Sequence, residues 1–196
     1  MATPSKYSTG FAAGMFSSDW LQGGVQGSFI QEPNTRYSIE GGMSVETTGA
    51  LFGGAAISLA MGSKGRMELG PGVKKATAVT NVDGFVIDSK MYHAVVTDRN
   101  AAPQVAAGDG VHFARIGSRV RMFVAIDPTF AETLYGAPNT TVSFDFTKQQ
   151  IIASTGATDV LPVKVTEVFA NGITLAYDSV ADRVSYSTGP VAVILL

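Results

Sequence analysis

The 196-residue chain contains no cysteine. That excludes a disulfide framework, a thiolate zinc site and a cysteine nucleophile. Histidine is nearly missing: only His93 and His112 occur, and neither stands at a spacing that pairs it with a second ligand. No His-Glu-x-x-His, EF-hand or P-loop pattern is present, and no serine sits in a Gly-x-Ser-x-Gly elbow. Charge is also scarce. Charged residues make up 15% of the chain, against roughly 25% in an average soluble domain. With 14 basic and 16 acidic residues the net charge is −2, so no basic field exists to hold nucleic acid. Long apolar runs are lacking too. The most apolar early stretch, 50–61, spans 12 residues and contains Gly53-Gly54, whereas a membrane-spanning helix needs about 20. It reads as a buried strand or a buried interface segment. The opening residues lack a basic region followed by an apolar core, so no targeting segment is expected.

What is present is an ordinary apolar fraction, 45%, enough for a folded core. An ordinary core combined with little surface charge fits a surface partly covered by neighbours, because charge is depleted at the centre of protein interfaces. A small polar surface of Ser, Thr, Asn and Gly is the other explanation. Glycine is unevenly spread, with 14 of the 22 in the first 72 residues, and at this density it disfavours helix. This shift divides the chain into 1–72, a glycine-rich N-terminal arm and hairpin region, and 73–196, a β-barrel-like domain. Within the arm, Phe11, Met15, Phe16, Trp20 and Leu21 are five large apolar residues in eleven positions. Such side chains must dock on something, either this protein's own body or a partner. Short alternating runs on either side of Gly41-Gly42 suggest a hairpin. The stretch 61–73 reads as a loop or linker.

From residue 73 onward the pattern is that of an all-β protein, a β-barrel or β-sandwich. Strands are expected at 84–88 and 91–97. Another is expected at 119–126, with Val120, Met122, Val124 and Ile126 on one face and Arg119 and Arg121 on the other. At 141–147, Val142, Phe144 and Phe146 alternate with small polar residues, the period-two code of a half-buried strand. Asn171-Gly172, between the apolar runs 163–170 and 173–177, predicts a hairpin with a type I′ turn. The apolar run 190–196 predicts a final strand tied into a sheet. One short helix is expected near 131–135.

Chemistry-bearing constellations are few. Asn81-Val-Asp-Gly84 and Asp109-Gly110 resemble pieces of calcium loops but read as turns. Gly62-Ser-Lys-Gly-Arg66 is glycine-rich and basic without a P-loop ending. Asn139-Thr-Thr141 matches a glycosylation acceptor, which matters only in a secreted eukaryotic protein. A Ser/His/Asp triad or a carboxylate pair assembled by the fold stays open, since its members can come from anywhere in the chain. Arg115, Arg119 and Arg121 fall within seven residues. They suit either a bidentate grip on a partner's carboxylates or a solvated strand face.

Three features together make the chain resemble the structural cement, or capsid decoration, proteins of tailed bacteriophages. They are the glycine-rich start with Phe11-Ala-Ala-Gly-Met-Phe16, the middle run Ala106-Ala-Gly-Asp-Gly-Val-His-Phe-Ala-Arg-Ile116, and the hydrophobic strand after Gly189-Pro190. The resemblance implies a β-barrel-like fold, homotrimerisation, and attachment to the outside of the capsid shell at junctions between major capsid proteins. It implies a virion location after assembly in the bacterial cytoplasm, with no catalysis and no cofactor, and the residues themselves suggest no metal, nucleic acid or membrane partner. Phe11, Met15, Phe16, Trp20, Leu21, Arg115, Arg119 and Arg121 are the candidate partner-binding residues. Competing readings are another virion β-protein of the tail, baseplate or head completion, a carbohydrate-binding module using Trp20 and the tyrosines, and an unrecognised hydrolase.

Overall fold

The computed structural model describes residues 24–30, 35–47, 49–61, 70–88, 102–137, 140–178, 180–181 and 183–196. The apolar arm positions 11–21, the strand expected at 91–97 and most of the 61–73 stretch lie outside them. The fold is all-β, built on a closed five-stranded barrel. Its strands are β1 (Ile39–Ser44), β2 (Ala56–Ala60), β3 (Gly72–Lys75), β4 (Gly84–Val86) and β5 (Gly110–Arg115). They close in the order β1-β3-β2-β4-β5, antiparallel throughout except for the parallel β1–β3 pair. Side chains alternate across the wall. Ile57, Val73, Val86, Val111 and Phe113 fill the interior, joined by Leu51 and Phe52 from the segment before β2. Two of the five strands lie ahead of residue 72, so the barrel is assembled across the glycine-content shift.

Outside the barrel lies a second layer. It comprises β6 (Arg121–Ala125), α1 (Pro128–Gly136), the hairpin of β7 (Val142–Asp145) and β8 (Gln150–Ala153), and two long strands, β9 (Lys164–Asp178) and β10 (Arg183–Leu195). β6, β10 and β9 form one antiparallel sheet in that order. Val120, Met122, Val124 and Ile126 are all buried, as their alternation requires. The final apolar run is the centre of this sheet, paired with β6 on one side and β9 on the other. The expected helix forms as α1. Asp127 caps it by accepting the Thr129 and Phe130 N–H groups at 3.0 and 3.1 Å, an arrangement that stabilises a helix by about 1 kcal/mol. α1 buries Phe130, Ala131 and Leu134.

The two layers share a wall. Ala56, Phe85, Ile87 and Ala114 face outward from the barrel into the core of the second layer, and Phe85 meets Phe144 of β7 edge-on, with ring centroids 5.6 Å apart. All three residues of β4 are therefore buried. β7 is buried on both faces as well, since Ser143 is as inaccessible as Val142 and Phe144. It is not the half-buried strand its alternation suggests.

Two expected turns are corrected. β1 runs without a break through Gly41 and Gly42, which stand opposite His112 and Val111 of β5. β9 likewise runs through Asn171-Gly172, with Gly172 opposite Gly189 of β10. In both places glycine serves close approach instead of a turn. A Cβ at Gly42 would lie 2.7 Å from the Pro71 carbonyl oxygen and from Val73 Cγ2, and one at Gly172 would clash with Val191 and lie 3.1 Å from the Gly24 carbonyl oxygen. The contacts with Pro71, Val73 and Val191 are closer than real Cβ atoms come, so a larger residue at either position would force its neighbours to shift.

Segment 24–30 is a strap across the second layer. On one side Gly27 N–H donates to the Phe123 carbonyl (2.7 Å), Ile30 N–H to Arg121 (2.8 Å), and Phe123 N–H to Ser28 (2.9 Å). On the other side Gln26 N–H donates to the Ile173 carbonyl (2.8 Å) and Ile173 N–H to Gly24 (3.2 Å). Gln26 is fully buried, and its Oε1 accepts the Leu175 N–H at 2.8 Å. A further bond, from Asp88 N–H to the Gly27 carbonyl (2.8 Å), ties the strap to the chain leaving β4.

Candidate functional site

The three arginines do not form one cationic face. Arg115 ends β5, and its Nε lies 2.8 Å from Glu40 Oε1 on the neighbouring β1, with both side chains about half exposed. Arg121 opens β6 with Nη1 4.0 Å from Glu167 of β9. Arg119 precedes the strand, exposed and at φ +62, a left-handed conformation, while β6 itself begins only at Arg121. Exposed ion pairs of this kind contribute little to stability.

The turn readings hold. Asp83 Oδ2 accepts the Leu59 N–H at 2.7 Å, and Asp109 Oδ2 accepts the Ala106 N–H at 3.3 Å. Asp109 thus fixes its own loop, and Asp83 ties the approach to β4 onto β2. His112 lies on β5 opposite Gly41, while His93 lies outside the described residues. Among the described residues no group of three His, Asp or Glu side chains could hold a metal ion, and no helix is long and apolar enough to cross a membrane.

Sequence reasoning missed a cleft of about 510 Å³. The turn between β7 and β8 forms one side and the middle of the β9–β10 ribbon the other, with Phe52 and Lys75 contributed by the barrel. Each part is locally fixed. Asp145 Oδ1 accepts the Thr147 and Lys148 N–H groups at 2.8 and 2.9 Å, which folds the turn back on itself. Gln149, at φ +55 and buried, accepts the Ala56 N–H at 3.0 Å and donates to the Phe146 carbonyl at 2.7 Å. That side chain pins the turn to the barrel, and Lys148 beside it is exposed and lines the cleft.

Lys75 is the most unusual group in the cleft. Its Nζ lies 4.7 Å from the Tyr177 ring centroid and 5.8 Å from that of Phe52, within the range of cation–π attraction. Burial pulls its pKa below the ordinary lysine value, and the Glu46 carboxylate pulls the other way. Glu46 is itself buried, with Oε2 accepting the Lys75 backbone N–H at 2.8 Å. Among the described residues no aspartate or glutamate lines the cleft. Lys75 and Lys148 lie 73 positions apart in sequence, so no local pattern could have joined them.

No family model, curated protein or solved structure matches the chain.

Proposed function

We propose that this chain is a non-enzymatic structural protein of a tailed-bacteriophage virion. It binds the outside of the capsid shell as a homotrimer and cements junctions between major capsid proteins. The observation that carries this reading is the strap. The chain is fastened into the body from residue 24 onward by backbone bonds to β6 and β9. The five large apolar residues of positions 11–21 immediately precede that anchored root. An arm rooted in a closed all-β body transmits a pull on its docked side chains directly to the body. Low surface charge and the family resemblance point the same way.

Cementing is a linkage effect: a protein that binds assembled shell and not loose subunits stabilises the shell by mass action. A trimer on a threefold junction gains further, because its second and third contacts become intramolecular.

The test uses heads assembled from the major capsid protein of the phage that encodes this chain. The full protein should co-sediment with them at a fixed stoichiometry and raise the temperature at which they rupture. A variant lacking residues 2–22, which retains the strap, should keep its thermal midpoint and lose the shell. Full-length protein that leaves heads unbound and unstabilised would overturn the reading. Truncated protein that binds equally well would remove the arm from it.

A further inference from the structure

We propose that the cleft between the β7–β8 turn and the β9–β10 ribbon is a binding site for an acidic polypeptide segment, in which a ligand carboxylate is held between Lys75 and Lys148. The inference stands whether or not the chain decorates a capsid.

The charge argument comes first. The chain has 14 basic residues and a net charge of −2, yet two ammonium groups line one cleft that has no carboxylate among its described residues. Lys75 has Glu46 as an electrostatic neighbour, but among the described residues no carboxylate lies within ion-pair distance of its Nζ. A half-buried ammonium without an ion-pair partner is poorly solvated, so an entering anion gains more there than at an exposed lysine. The volume, about 510 Å³, falls within the roughly 300–1,000 Å³ of ligand-sized sites.

The kind of anion follows from the walls. Ile126, Pro128, Phe146 and Pro190 stand beside the two lysines, which suits a chain whose carboxylates alternate with apolar side chains. A sugar ring held by stacking would need a free aromatic face. The Tyr177 and Phe52 rings already carry the Lys75 ammonium, and Phe146 packs edge-on against Phe144 with centroids 5.3 Å apart.

The experiment is calorimetric titration of the full-length protein with a blocked Glu-Val-Glu-Val peptide. The matched Gln-Val-Gln-Val peptide and trigalacturonate serve as comparison arms. The acidic peptide should bind and weaken as salt is raised. It should lose about tenfold or more in affinity in Lys75→Gln and in Lys148→Glu, while Lys164→Gln, on the exposed start of β9, leaves it unchanged. Lys148 is exposed on a turn, so that variant reports even where Lys75→Gln folds poorly. In parallel, bound peptide should slow acetylation of Lys75 relative to Lys164. Absence of binding, equal binding of the neutral peptide, or affinity indifferent to Lys148→Glu would each overturn the site. Binding of trigalacturonate alone would overturn the polypeptide ligand. None of these results bears on co-sedimentation with heads, so the two proposals fail separately.

Discussion

The barrel and the layer outside it handle strand edges in opposite ways. The barrel uses five strands of three to six residues. Each is too short to be stable in a small open sheet, but closure leaves none with a free edge. The outer layer is built on β9 and β10, of 15 and 13 residues, in a three-stranded sheet that does have edges. The strap covers part of both, pairing with β6 at Phe29–Met122 and with β9 at Val25–Ile173. Short strands are thus protected by topology and long strands by an added segment. The two solutions meet at β4, whose Val86 faces one core and whose Phe85 faces the other.

The strongest way to break this arrangement is at the shared wall. Phe85→Ala removes a fully buried ring and its contact with Phe144. It should cost about 3–5 kcal/mol, read as a lower urea midpoint in one cooperative transition. Two separate transitions would mean that the barrel and the outer layer are independent.

Next is the ribbon. Gly172→Ala should cost about 2–3 kcal/mol through overpacking against Val191 and the strap. Asn171→Ala, at an exposed position, should stay within about 0.5 kcal/mol. A type I′ turn would make both substitutions damaging, so this pair of denaturation curves separates continuous strand from hairpin. The strap itself is tested by Gln26→Ala, which leaves the buried Leu175 N–H without its acceptor and should cost about 1–2 kcal/mol.

The smallest expected effect is a pH slope. Burial lowers the Lys75 pKa in the folded protein. Between that lowered value and the ordinary lysine value the unfolded chain therefore holds more protons, and stability rises with pH across the window. Below the window the cost of burying the ammonium is fully present. Denaturation at stepped alkaline pH should show this rise in the native protein, and Lys75→Met should flatten it.

The outer layer was the more legible half in sequence. Met122 and Val124 of β6 and Phe144 of β7 stand out as alternating apolar positions, and 191–196 as a continuous apolar run, because these strands pack into a thick core. The barrel was less legible because its strands are short and glycine-broken. Gly41-Gly42 and Asn171-Gly172 looked like turns for one physical reason: the same residue that permits a turn also permits backbone and side chains to pack where a Cβ would not fit. Tertiary packing decides between the two uses, and local sequence carries no trace of it. The strap had a faint signal in the alternation of Val25, Gly27 and Phe29. The cleft had none, since Phe52, Lys75, Lys148 and Tyr177 converge only through the shared wall and the ribbon.

Native-state hydrogen exchange tests the central claim that strap, outer layer and barrel form one cooperative body. The amides to follow are Gly27 and Phe123, which bond strap to β6, and Val86 and Met43, which bond within the barrel at 3.0 Å to the Ala55 and Pro71 carbonyls. All four should exchange with the same opening free energy, equal to that of global unfolding measured by denaturant. Gly27 and Phe123 exchanging through a lower-energy opening while Val86 and Met43 stay protected would contradict the account.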